Sequence, residues 1–107
     1  MNYIAVVTTV GNLAEAQHMA RTLVEQKLAA CAQISEIESF YVWNNAVQNE
    51  PEFRVLCKTT DENYQAIEEA IRKLHSYELP AIHAFALKHI YAPYAAWIES
   101  NSSGKGV

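Results

Sequence analysis

Residues 20–43, ARTLVEQKLAACAQISEIESFYVW, decide the fold. Apolar residues Leu13, Ala16, Ala20, Leu23, Val24 and Leu28 recur at three- and four-residue steps, the spacing of a helix that runs into this stretch. Neither Gly nor Pro marks its end. Instead Ala29, Ala30, Cys31 and Ala32, all small, let the chain pass directly into a buried position. From Cys31 to Trp43 nothing interrupts an extended chain, and at about 3.3 Å per residue that stretch spans roughly 43 Å. A compact domain of this length has a radius of gyration near ~13 Å. The strand therefore outruns its own domain, and another copy of the chain is the simplest cover for its far end.

Outward from this segment the elements follow in order. Tyr3–Thr9 is a near-continuous β-rich apolar run, the mark of a strand buried on both faces. Asn12 caps the first helix, and Glu15, three residues on, completes a capping-box pattern. The polar stretch 44–51 holds the turn after the long strand. Phe53–Thr60 is a third strand, central because Val55, Leu56 and Cys57 are consecutive. Thr60 or Asp61 caps a second helix with the stripe Tyr64, Ile67, Ile71 and Leu74. Ala81–His89 is a fourth strand, and Pro93 suits the first turn of a last helix carrying Tyr94, Trp97 and Ile98. Ile34 and Ile37 have opposite parity along the long strand, which predicts a bulge near Ser35 and Glu36.

The order βαββαβ plus a final helix predicts an α+β fold. Right-handed crossovers favour a ferredoxin-like antiparallel sheet with a long hairpin between strands two and three, strands one and three central and strand two at an edge. One domain covers residues 1–101, and 102–107 form a flexible tail.

The chain has 107 residues, half of them apolar, and a net charge of −4 with no basic run, which argues against a nucleic-acid partner. Cys31 and Cys57 lack the C-x-x-C spacing of a zinc or redox site and read as reduced core thiols. The start, MNYIAVVTTV, has no basic region ahead of its apolar run, which is too short to span a bilayer. A cytoplasmic protein with no membrane partner is expected.

Among the four histidines, His75 follows the second helix, where a side chain can face a cleft or interact with the helix C-terminus. His83 and His89, six residues apart on one strand face, would stand about 20 Å apart, too far to share a metal ion. His18 reads as a surface residue. Tyr41 and Trp43 share one face at the end of the long strand, with Phe40 and Val42 on the other, so the tip is apolar on both sides and reads as an interface. Lys58 ends a buried strand, where it either reaches past the sheet to water or offers a cation to an anionic ligand. No acid–base pair or nucleophile constellation emerges, and no enzymatic activity is expected.

Four segments in fixed order, VEQKLAACAQI, SFYVWNNAV, FRVLCKTT and LHSYELPAI, together resemble the CutA family of divalent-cation-tolerance proteins. The matching residues are the L-A-A-C of Leu28–Cys31, the Y-x-W of Tyr41 and Trp43, the K-T of Lys58 and Thr59, and the H-x-Y-x-x-P of His75, Tyr77 and Pro80. The resemblance implies a homotrimer of ferredoxin-like subunits, with Phe40, Tyr41 and Trp43 at the trimer interface and a role in copper and divalent-metal tolerance without an established reaction. Of the copper ligands used in one branch of the family, two matching positions hold Val7 and Leu74, and only His75 remains. Two further departures are Ala81 in place of a Glu and Asn45 in place of a Gly. His75 is accordingly the candidate ligand for weak binding of Cu(II) or another divalent cation. A second expectation is a trimeric module resembling PII signalling proteins. In that case clefts between subunits near Lys58, Tyr77, Tyr41 and Trp43 would take a small anionic metabolite.

Overall fold

The computed structural model describes residues 1–105. Strand β1 (Tyr3–Val10) leads into helix α1 (Leu13–Glu25), strands β2 (Cys31–Trp43) and β3 (Ala46–Thr60), helix α2 (Tyr64–Leu74), strand β4 (Ile82–Ala86) and helix α3 (Ala92–Ser100). The strands form one sheet in the order β2-β3-β1-β4, with every neighbouring pair antiparallel. As the sequence predicts, β1 and β3 are central and β2 is an edge.

Directly opposed residues in an antiparallel pair share a face, so the register divides the sheet into two surfaces. Ile4, Val6, Val10, Val55 and Cys57 pack against Met19 and Leu23 of α1 and Ile67 and Ile71 of α2. The row Phe85, Ala5, Lys58 and Cys31 lies on the other face, where Tyr94 of α3 approaches Cys31 and Lys58.

Helix α1 begins as expected: the Asn12 side chain accepts a hydrogen bond from the Glu15 N–H at 2.8 Å. Its C-terminus closes without glycine. Lys27, at φ 54°, takes the left-handed position. The N–H groups of Lys27 and Leu28 donate to Val24 and Leu23, satisfying carbonyls the helix leaves open. That turn, not the run of small residues alone, delivers the chain into β2.

Strand β2 has the bounds read from the sequence, but no bulge interrupts it. One register runs from Cys31 opposite Lys58 to Trp43 opposite Ala46. Ile34 packs on the helix-side core, whereas Ile37 lies on the other face opposite Glu52. Their opposite parity reflects use of both faces, with no extra residue.

Strand β3 is longer than expected. The hairpin turn is just Asn44 and Asn45, at φ 51° and 61°, the left-handed pair that suits the twist of a two-residue hairpin. The polar stretch after it is strand. Pro51 lies beyond Phe53, the last β3 residue paired with β1, so β3 has one strand neighbour there, a place that tolerates a missing N–H.

Strand β4 is shorter than expected, five residues ending at Ala86. His89 falls outside it, so His83 and His89 do not share a strand face. Ser102, placed by the sequence reading in a flexible tail, is buried. Its hydroxyl donates to the Ile98 carbonyl, and its own carbonyl accepts from Asn63 at 2.6 Å. Gly104 N–H donates to the Lys27 carbonyl at 2.8 Å. Residues 106–107 of that tail lie outside the described residues.

The outer half of the β2–β3 hairpin draws the molecule out to 45 × 27 × 21 Å. Its apolar side chains are bare: Phe40, Val42 and Val47 are 67%, 70% and 72% exposed.

Candidate functional site

The loop after α2 and the flank of the hairpin, from Glu52 of β3 out to Trp43 of β2, enclose a cleft of about 690 Å³. The hairpin contributes Tyr41, Trp43 and Glu52, and the loop contributes Tyr77, Glu78 and Leu79. Glu52 reaches this position because it lies just beyond the part of β3 covered by β1, on the sheet face away from α1 and α2.

Tyr77 is held from three sides. Its N–H donates to His75 Nδ1 at 3.1 Å, and its ring lies 4.9 Å from the His75 ring centroid. Beneath it Gly11 leaves the space it needs, since a Cβ there would stand 3.2 Å from the Tyr77 hydroxyl. That hydroxyl donates to Glu52 Oε2 at 2.8 Å. Burial, then the Glu52 bond, push the Tyr77 hydroxyl well above its ordinary range. Tyr41 is similar: its hydroxyl donates to Glu50 at 2.8 Å, and that bond raises its pKa. Both phenols are held protonated, and each donates its hydrogen to a carboxylate.

His75 does not face the cleft as a free ligand. Its side chain is fully buried. Nδ1 accepts from Tyr77, so the hydrogen is on Nε2, which donates to the Thr9 carbonyl at 2.9 Å. With both ring nitrogens engaged, no lone pair faces outward for a metal ion. The sequence reading missed this because the partners, Thr9 and Tyr77, are set by tertiary contact. Nearby, the carboxylate of Glu15 accepts from the Ser76 N–H and hydroxyl at 3.0 and 2.9 Å. It ties α1 to the loop and does not complete a capping box.

The residues expected to line clefts between subunits divide within the single subunit. Tyr41, Trp43 and Tyr77 line the cleft together, but Lys58 does not. Tyr41 is opposite Gln48, ten residues along β3 from Lys58, a separation of about 33 Å within one subunit. Lys58 instead donates to the Tyr94 hydroxyl at 3.3 Å, with its Nζ 5.3 Å from that ring's centroid. In its place the cleft holds Glu52 and Glu78, neither singled out from the sequence. The signal for Glu52 was its spacing: it alternates with Arg54, Leu56 and Lys58, opposite in parity to the core residues Val55 and Cys57. Among the described residues no three His, Cys, Asp or Glu side chains stand together as a metal-binding group. Cys31 and Cys57 are free thiols, and burial pushes the Cys57 thiol up to about 12.

A mixed α+β domain with a four-stranded antiparallel sheet, extended by a two-stranded arm with an aromatic-walled acidic cleft along its flank, defines the class of protein. The family model for the CutA1 divalent ion tolerance protein matches residues 4–101, and the chain belongs to that family. The Thermotoga maritima divalent-cation tolerance protein CutA is 34% identical over 98 residues, covering 92% of this chain and 97% of the relative. The solved structure of the periplasmic divalent cation tolerance protein CutA from Archaeoglobus fulgidus superposes with a TM-score of 0.92 at 30% identity, covering 94% of this chain and 99% of that one. The stable protein CutA1 from the psychrotrophic Shewanella sp. SIB1 gives 0.90 at 35% identity, covering 94% and 95%. A rice relative, 31% identical, is named as chloroplastic, so relatives occupy different compartments. No helix among the described residues is long and apolar enough to cross a membrane.

Proposed function

We propose that this chain is a non-enzymatic divalent-cation tolerance protein that works as a homotrimer of ferredoxin-like subunits and binds Cu(II) or another divalent cation weakly. Family membership supports the tolerance role. The observation that carries the assembly is the bare arm: Phe40, Val42 and Val47 are more than two-thirds exposed on a hairpin with a free edge. Such an arm needs a partner to avoid uncontrolled association, and repeated contact between identical copies closes it into a ring.

Binding is weak because the imidazole best suited to copper is closed off. The exposed imidazoles of His18, His83 and His89 and the surface carboxylates remain open, but among the described residues no three such donors stand together in one subunit. Glu36 and Glu38, exposed on one face of β2, are the carboxylates this reading assigns to complete a site on trimerisation. The free thiols of Cys31 and Cys57 suit a reducing, cytoplasmic setting.

Calorimetric titration with Cu(II) tests the reading. Weak heats that persist in His75→Ala and fall in Glu36→Gln/Glu38→Gln are expected. Heats abolished by His75→Ala would return the site to the imidazole, and a monomeric mass by light scattering would remove the assembly.

A further inference from the structure

A titratable pair lies inside the subunit, beneath the loop after α2, and its geometry involves no second copy. The His75 side chain is fully buried, that of Glu15 is 15% exposed, and His75 Nδ1 stands 4.0 Å from Glu15 Oε2. The two groups are not bonded to each other. Nδ1 accepts from the Tyr77 N–H at 3.1 Å, and Nε2 donates to the Thr9 carbonyl at 2.9 Å. Glu15 accepts from the Ser76 N–H and hydroxyl. A carboxylate thus waits just beyond hydrogen-bond reach of a ring nitrogen that carries no proton.

This arrangement suits two protonation states. Imidazole is the side chain that exchanges protons between about pH 5 and 8. A proton on Nδ1 turns an acceptor into a donor, and the Tyr77 N–H, itself a donor, can no longer bond there. Glu15 is the acceptor at hand. Its oxygens hold two hydrogen bonds of about four a carboxylate can accept, and a shift of about 1 Å closes the gap to Nδ1. Nε2 donates in both states, so the Thr9 bond keeps the ring pinned to β1. The other charged groups around the ring are occupied or turned outward. Arg72 and Lys73, in the last turn of α2, pair with Glu69 and are mostly exposed. Glu78, further along the loop, is exposed. The Tyr77 phenol is held protonated by burial and by Glu52.

We propose that His75 and Glu15 form a proton-operated latch on the loop after α2. With the ring neutral, Nδ1 holds the Tyr77 N–H. With the ring protonated, Nδ1 donates to Glu15 of α1 and releases the Tyr77 backbone. Proton uptake therefore exchanges a bond within the loop for one to the helix, and it frees the residue whose hydroxyl holds Glu52 at the flank of the arm. The links from Thr9 to His75 and from Glu15 to Ser76 persist, so the loop loosens at Tyr77 and stays anchored at its start. The latch uses none of the carboxylates or exposed imidazoles given to metal.

Solution NMR of the full-length, uniformly ¹⁵N-labelled chain between pH 5 and 8 tests it. Ring-nitrogen shifts report protonation at each nitrogen, and the Tyr77 amide reports its own bond. His75 Nδ1 should gain a proton, and the Tyr77 amide should shift with the same midpoint. Hydrogen exchange at that amide, corrected for its intrinsic pH dependence, should quicken at least about tenfold on the acid side, the mark of a lost bond. Glu15→Gln removes the waiting charge and should lower the midpoint by about one pH unit or more, a tenfold loss of proton affinity. His75→Gln keeps an amide donor for Thr9 and takes up no proton, so the step at Tyr77 should vanish.

A Tyr77 amide that holds its shift while the His75 ring is protonated would overturn the proposal, as would a ring that stays neutral down to pH 5. A midpoint unmoved by Glu15→Gln would take the carboxylate out of the latch and overturn it as well. Should either variant fail to fold, the joint titration of Nδ1 and the Tyr77 amide in the parent chain decides alone.

Discussion

The imidazole of His75 donates from Nε2 to the backbone carbonyl of Thr9, 2.9 Å away and 66 residues earlier in the chain. This bond fastens the loop after α2 to the end of β1, and its companion from Tyr77 N–H to Nδ1 fixes the ring from the other side. His75→Ala strands a part-buried carbonyl and a part-buried N–H, and a loss of about 1–3 kcal/mol is expected. Urea unfolding of the two proteins measures it. A change below about 0.5 kcal/mol would mean that water replaces the ring at no cost.

Alkaline pH should weaken the fold through Cys57. Its thiol is raised from 9.0 to about 12 by burial, with a smaller contribution from Cys31. The folded state thus holds its proton more tightly than the unfolded chain. The stabilising difference is complete below about pH 9 and is lost as pH rises toward about 12. Unfolding midpoints taken between those values should decline, and the decline should be shallower in Cys57→Ala. Parallel slopes would assign the effect to the tyrosines instead.

Lys27 occupies a left-handed position that glycine adopts without steric cost. Lys27→Gly is expected to stabilise the protein by about 0.5–1 kcal/mol, less whatever the freer unfolded chain takes back. Thermal unfolding at fixed protein concentration reads the shift. A fall in melting temperature would show that the Lys27 side chain is worth more than the backbone conformation costs.

The arm supplies a fourth expectation. Phe40→Lys with Val42→Glu places opposite charges on one exposed face and leaves the core residues untouched. Sedimentation should then report the mass of a single chain, with far-ultraviolet dichroism near that of the parent. An assembly of unchanged mass would place the interface elsewhere.

Much of the architecture is legible because it is written locally. Strand β2 can be bounded at both residues because nothing from Cys31 to Trp43 breaks an extended chain. The stripe Tyr64, Ile67, Ile71 and Leu74 gives α2 its inward face, of which Ile67 and Ile71 are fully buried. The errors come where one signal has two meanings. Asn44 and Asn45 alone make the turn, and the polar residues after them are the exposed outer part of β3, which composition cannot separate from a loop. At the cleft, Tyr41, Trp43 and Tyr77 were visible as a group, but the charge was not. Glu52 matters because β1 ends beside it and Tyr77 reaches it from 25 residues away. His75 likewise reads as a free loop residue until Thr9 and Tyr77 are placed around it.

The uninterrupted register between β2 and β3 also bears on the order in which the molecule forms. Partners are three residues apart at the tip, Trp43 and Ala46, and 27 apart at the base, Cys31 and Lys58. Each pair therefore closes a loop only slightly longer than the one before, and the arm can zip from its Asn44–Asn45 turn within microseconds. Strand β1 must instead find β3 across 43 to 57 residues. A nascent chain would display a finished arm with bare aromatic side chains before its own core has closed, so subunits could meet through their arms while still folding.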